Sequence, residues 1–132
     1  MTAKEFLCKI KKIDLMIENK RAESQKLKDL ALNISPPTGG DKIKASLNPH
    51  RSVEAVDAYC DIDRDIEELM QERKKIISVI EQLSFTEYKL LYMLYVEFYT
   101  LNDVAILNNK SYSWADKLHR KALNNLQIIL DD

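Results

Sequence analysis

With 132 residues, 45% of them hydrophobic and 31% charged, the chain has room for one domain plus an extension and enough apolar content for a modest core. Its two glycines and three prolines all fall between positions 36 and 49, too few for a sheet-rich fold or a glycine-cradled nucleotide site. The net charge of −1 gives no whole-chain basic signature, no stretch of about 18 residues is free of charge, and the N-terminus has no signal-peptide core.

Membrane spans are thereby excluded, and the cytoplasm is the expected compartment. Cys8, Cys60, His50 and His119 lie far apart in sequence, with no CxxC or Cys-His grouping, so no metal site or cofactor is expected. No carboxylate pair or nucleophile–base pair stands out from the solvated charges, and enzymatic activity is not expected. Charge is uneven along the chain. Residues 1–34 carry eight basic and five acidic side chains, net +3, and residues 53–82 carry four and nine, net −5. Residues 108–130 hold Lys110, Lys117, Arg120 and Lys121 against Asp116 alone, net +3.

The first segment predicts one long helix. Phe6, Ile10, Ile13 and Ile17 recur at heptad-like spacing, and the register continues through Lys20, Ser24, Leu27, Ala31 and Ile34. Thr2 is a candidate N-cap, and Pro36-Pro37 must end the helix. Residues 35–50 read as a loop joining it to a second helix that runs from Ser52, as N-cap, to about Leu83. On that helix Val53, Val56, Tyr59 or Cys60, Ile66, Met70, Arg73, Ile76 or Ile77, Ile80 and Leu83 trace one face. Amphipathic helices this long need a partner, and residues 1–82 are expected to form an antiparallel helical hairpin. The same pattern also fits a homodimer. Pairing in the hairpin would hold Cys8 and Cys60 on the order of 28 Å apart at ~1.5 Å per residue, too far for a disulfide, so two reduced, half-buried thiols are expected.

From Leu83 the pattern changes. Ser84 to Glu87 fits a capping box, with Glu87 reaching back, and the helix after it, to about Val96 or Phe98, is apolar almost all round. Tyr88, Tyr92, Tyr95 and Tyr99 form a stripe with two readings, a partner-binding face or packing at the core and its edge, of which packing is the expectation. Thr100 caps a short helix with Leu101, Val104, Ala105 and Leu107 as its apolar side. Asn108-Asn109-Lys110 makes a turn in which asparagine suits a positive φ. Ser111 caps a last helix with Ala115, Leu118, Ala122 and Leu126 on one face. Helix, short turn, helix, with small Ala105 at the expected crossing, is the helix-turn-helix pattern.

The side chains left outside suit phosphates and base edges. Lys110, Lys117, Arg120 and Lys121 are candidate phosphate contacts, and Tyr112 and Ser113, with Lys117, candidate base contacts. Ser111 and Trp114 complete the candidate site. Trp114 has two roles open to it, a DNA contact or a wedge into the neighbouring helix. His119 is expected in helix packing or at a phosphate.

Leu83, the Leu90-Leu91 pair, Tyr95-Val96-Glu97, Thr100, Val104-Ala105, Ser111, the run Leu118 to Leu123 and Leu126 carry a resemblance. Through them, residues 83–126 resemble the region-four helix-turn-helix domain of bacterial sigma factors. Four positions depart from that pattern: Asn108 stands where leucine is usual, Lys110 where the residue is apolar, Phe98 where glycine often opens the corner, and Leu94 where arginine is usual. The loop Pro36-Pro37-Thr38-Gly39-Gly40-Asp41-Lys42-Ile43 extends the likeness. The whole chain is similar to a family of small phage and prophage proteins of Gram-positive hosts, related to ArpU- and RinA-like regulators of late transcription. The resemblance implies an all-α protein, with a hairpin over 1–82 and a helix-turn-helix domain over 83–132, that binds duplex DNA in phage gene control. A protein-interaction adaptor working through the hairpin, with RNA polymerase or a phage protein as partner, is the competing expectation.

Overall fold

The computed structural model describes residues 1–31 and 49–132, and every regular element among them is helical. The Pro36-Pro37 stop and all but the last two residues of the expected 35–50 loop lie outside the described residues. Helix α1 spans Ala3–Ala31, α2 Pro49–Ile80, α3 Phe85–Leu91, α4 Leu101–Leu107 and α5 Tyr112–Asp131, with a π-helical turn at Tyr92–Val96 directly after α3. No described helix is long and apolar enough to cross a membrane.

Most helix starts are set by local caps. The Thr2 hydroxyl accepts from the Glu5 amide at 3.1 Å while the Glu5 carboxylate accepts from the Thr2 amide at 3.3 Å. Thr100 and Asp103 make the same reciprocal pair at α4, and Ser111 accepts from the Trp114 amide at α5. Helix α2 departs from expectation at both ends. It starts at Pro49, ahead of Ser52, where a proline's fixed φ and missing N–H suit the first helical position. It ends at Ile80, because the amides of Gln82 and Leu83 bond three residues back, to Val79 and Ile80, and tighten the chain out of the α-helical pattern.

The helical residues gather into two compact units, Met1–Asp14 with Gln71–Asp132, and Leu15–Met70. The boundary expected between 82 and 83 falls inside the first unit. Its core holds Ala3, Leu7, Ile80, Leu91, Ala122 and Leu126, with Phe6, Val79, Leu83, Tyr88, Tyr92, Tyr95, Leu123 and Leu130 packed against them. Arg73 Nε donates to Asp14 Oδ1 at 2.7 Å on its flank.

In the second unit, partners step backward along α2 as they step forward along α1. Lys20 pairs with Asp65 at 3.5 Å, Ser24 Oγ donates to Asp63 at 2.7 Å, and Lys28 pairs with Asp63 and lies over the Tyr59 ring, 5.5 Å from its centroid. Ser24 is only 2% exposed, so this polar contact stands inside an otherwise apolar seam and favours one register. The Ser24 hydroxyl and then the Lys28 ammonium hold the Asp63 carboxyl below its ordinary range.

The inward face of α2 runs Ala55, Tyr59, Ile62, Ile66, Leu69, Arg73, Ile76 and Ile80, alternating steps of four and three, and all are buried or half-buried. Val53, Val56 and Met70, expected on that face, are exposed. The strict alternation brings Ala55, Ile62 and Leu69 inward, three residues absent from the expected stripe. Cys8 and Cys60 are free thiols and exposed, not half-buried, since both fall beside their helix's apolar stripe rather than in it.

Candidate nucleic-acid interface

The segment from Ser84 to Asp132 positions the candidate residues, and its irregular points decide how. Ser84 accepts from the Glu87 amide at 3.4 Å, but the Glu87 side chain does not reach back to complete the box. It is 5% exposed, and both its oxygens accept from Asn125 Nδ2, at 3.0 and 2.9 Å. A long-range partner on α5 thus replaces the local one and ties α3 to the last helix.

The helix expected to run to Val96 or Phe98 changes to π geometry at Tyr92. The Glu97 amide bonds the Tyr92 carbonyl, the Tyr99 amide bonds the Met93 carbonyl, and Phe98 between them has φ 62°. That is left-handed backbone, which glycine adopts without steric cost. A bulky phenylalanine stands at the corner where the sigma-like pattern often has glycine.

At the end of α4, Asn109 has φ 55°. The Lys110 amide bonds the Ala105 carbonyl at 2.9 Å and the Asn109 amide bonds Ile106 at 3.1 Å, the two bonds of a Schellman termination. Asn108 donates its side-chain amide to the Val104 carbonyl at 2.7 Å. Val104 and Ala105 are buried as expected, but Leu107 is 58% exposed. One helical turn after Val104 comes Asn108, which takes the inward slot, so Leu107 turns outward.

On α5, Ala115, Ala122 and Leu126 are fully buried and Leu118 half-buried, as the periodicity requires. Ser113, Lys117, Arg120, Lys121 and Asn124 are all exposed and, at spacings of three, four and seven, share the opposite face. Lys110, Ser111 and Tyr112 are exposed at the helix entry. Tyr112 shares its face with Asp116 and His119, about a third of a turn from the lysine stripe. The Ser111 hydroxyl is occupied as a cap. Arg120 pairs with Asp116 at 3.1 Å, so part of its charge is answered within the helix.

Trp114 is half-buried and lines a crevice of about 20 Å³ together with Leu90, Met93, Val104 and Leu118. Thr86 and Lys89 of α3 and Asn108 lie around the same crevice, and Lys110 Nζ stands 6.0 Å from the Trp114 ring centroid. The Thr86 and Lys89 positions are not among the candidates legible in the sequence: they sit on a helix that reads as core, and nothing local links them to α5.

His119 is half-buried, its Nε2 2.8 Å from the Tyr95 hydroxyl. Burial, and then Lys4, lower its pKa below 6.5, with Asp116 acting the other way. Tyr88 and Tyr92 pack with ring centroids 5.7 Å apart against the core, while Tyr99 is exposed. Among the described residues, no three His, Cys, Asp or Glu side chains gather in a way that could hold a metal ion. In comparisons with known proteins, no family model, curated protein or solved structure matches the chain.

Proposed function

We propose that the chain is a phage-type transcriptional regulator that binds duplex DNA. In this reading α4, the turn at 108–111 and α5 form a helix-turn-helix, α5 is its recognition helix, and α1 with α2 forms a helical hairpin. The observation that carries it is the α5 outer face, where Ser113, Lys117, Arg120 and Lys121 stand exposed together, directly after a Schellman turn and the Ser111 cap that starts α5. Lysine and arginine there suit phosphate contacts, while Ser113 and Lys117, nearest the helix start, suit base edges.

The test is a titration of the chain with duplex DNA from its own genomic neighbourhood and with a scrambled duplex, at two salt concentrations. Trp114 fluorescence and electrophoretic mobility are read together. Binding should prefer the native duplex and weaken with salt. Alanine at both Lys117 and Arg120 should lower the slope of log affinity against log salt by roughly 1.8, about 0.9 for each phosphate no longer neutralised. No mobility shift at low salt would overturn the proposal.

A second reading has its own observation. Leu15, Met16, Leu30, Val53, Val56 and Met70 are exposed on the long helices, more apolar surface than a purely structural arm needs. It makes the chain an adaptor that binds RNA polymerase or a phage protein through α1 and α2. Retention of a partner at high salt, with no DNA binding, would favour it.

A further inference from the structure

The α5 stripe has a neighbour on α3. Trp114 and Leu118, one turn apart, mark the edge of α5 that meets the crevice, and Thr86 and Lys89 form part of the crevice's α3 wall. Lys117 and Lys121 lie one step further round α5 on the same side. Lys110 stands over the Trp114 ring from the turn. Lys89 at the crevice and Lys110 over the ring thus flank the half-buried indole, and Lys117 and Lys121 continue the positive surface along the adjoining side of α5.

Their charges are uncompensated. Lys89, Lys110, Lys117 and Lys121 are exposed, and none has an ion-pair partner among the described residues. The acids closest to them in sequence are engaged elsewhere: Glu87 is buried against Asn125, and Asp116 holds Arg120 on the far side of the α5 stripe. At about 20 Å³ the crevice itself admits roughly one water, too little for a small-molecule ligand. Its rim, a set of cations and the Thr86 hydroxyl spaced around an aromatic face, has the chemistry of a polyanion surface.

We infer that the DNA-contacting surface extends beyond the recognition helix onto α3, with Lys89 a phosphate contact in one row with Lys110, Lys117 and Lys121 around Trp114. This rests on the DNA-binding reading and adds to it a residue outside the helix-turn-helix. Lys89 contributes affinity without sequence preference, because a phosphate contact carries no base information. It also fixes how α3 lies against the backbone, and so the approach angle of α5.

The test uses the full chain and two fluorescein-labelled duplexes, the native sequence and a scrambled one, with binding followed by anisotropy across a salt series. Lys89→Gln should reduce the slope of log affinity against log salt by about 0.9, the same as Lys117→Gln, and weaken binding equally to native and scrambled duplexes. Lys75→Gln, on an exposed lysine of α2, should leave the slope unchanged. Circular dichroism should match wild type for all three variants, since each site is exposed. A Lys89→Gln slope equal to wild type, with the Lys117→Gln slope reduced, overturns the extension onto α3 and leaves the recognition-helix reading standing. Absence of duplex binding by the wild type overturns both, as does tighter binding to single-stranded RNA of the same length.

Discussion

His119 shows how one side chain can be assigned by its neighbours. Its ring sits 5.8 Å from that of Tyr95, centroid to centroid, and the two share a 2.8 Å hydrogen bond that links the π turn to α5. Burial lowers the histidine pKa and raises that of the tyrosine, so the fold favours the neutral form of each. The groups facing the imidazole are the Tyr95 hydroxyl, Lys4 from α1, and Asp116 on its own helix. In the unfolded chain the imidazole takes up a proton near 6.5, and in the folded chain only at lower pH. The unfolded state therefore binds more protons in that window. The stability contributed by His119 is full above the unfolded value and is lost as pH falls through the depressed folded value. The urea midpoint should fall between about pH 7.5 and about pH 5.5, and His119→Asn should flatten that fall. A variant that keeps the whole wild-type decline would place the acid sensitivity elsewhere.

At the scale of elements, two left-handed residues close the two corners around α4, and they are not equivalent. Asparagine tolerates this conformation through its short polar side chain, whereas phenylalanine does not. Phe98→Gly should raise stability by roughly 0.5–1 kcal/mol, because Phe98 is about half exposed and its ring contributes little packing. Asn109→Ala should lower it by about 1 kcal/mol for the same reason in reverse. Chemical denaturation of the two variants measures both, and a destabilised Phe98→Gly would show that the ring's contacts outweigh the backbone strain.

These corners also mark where sequence and structure part. Thr2, Thr100, Ser111 and Asn109 are legible because each acts on backbone within three or four residues, and the cap or turn follows from residue type alone. The inward face of α5 is legible for a similar reason, its alanines and leucines recurring at helical spacing. The Glu87 partner is not, since Asn125 lies 38 residues away and a local capping box fits the residue types equally well. Nor is the phase of α2, where small Ala55 is buried and larger Val53 and Val56 are exposed. Apolar size marks which residues gain from burial, but the partner helix decides which face is presented. The π turn at Tyr92–Val96 leaves no mark in residue type.

At the scale of the whole molecule, distant segments of the chain meet in the first unit. Leu7 is fully buried in one cluster with Ile80, Leu91, Ala122 and Leu126, and Ala3 belongs to the same cluster. The Ala3 amide donates to Gln127 Oε1 at 2.7 Å, joining residues 124 apart in sequence. The start of α1 and the end of α2 thus supply core to the segment proposed to bind DNA. A fragment of residues 83–132 would expose Leu91 and Leu126 where Leu7 and Ile80 now cover them. It would keep Leu90, Val96, Val104, Ala105 and Ala115 as core, a small set for so short a segment. The fragment should retain helical circular dichroism but melt without a sharp transition, while the full chain melts cooperatively. Leu7→Ala in the full chain should cost about 2–5 kcal/mol, the range for removing a fully buried leucine side chain. Met16→Ala, at an exposed position of the same helix, should cost well under about 1 kcal/mol. A fragment that unfolds as sharply as the full chain, together with a near-neutral Leu7→Ala, would show that the C-terminal segment completes its own core. The opposite pair of results would make the first two turns of α1 part of the structure that holds α5 in place.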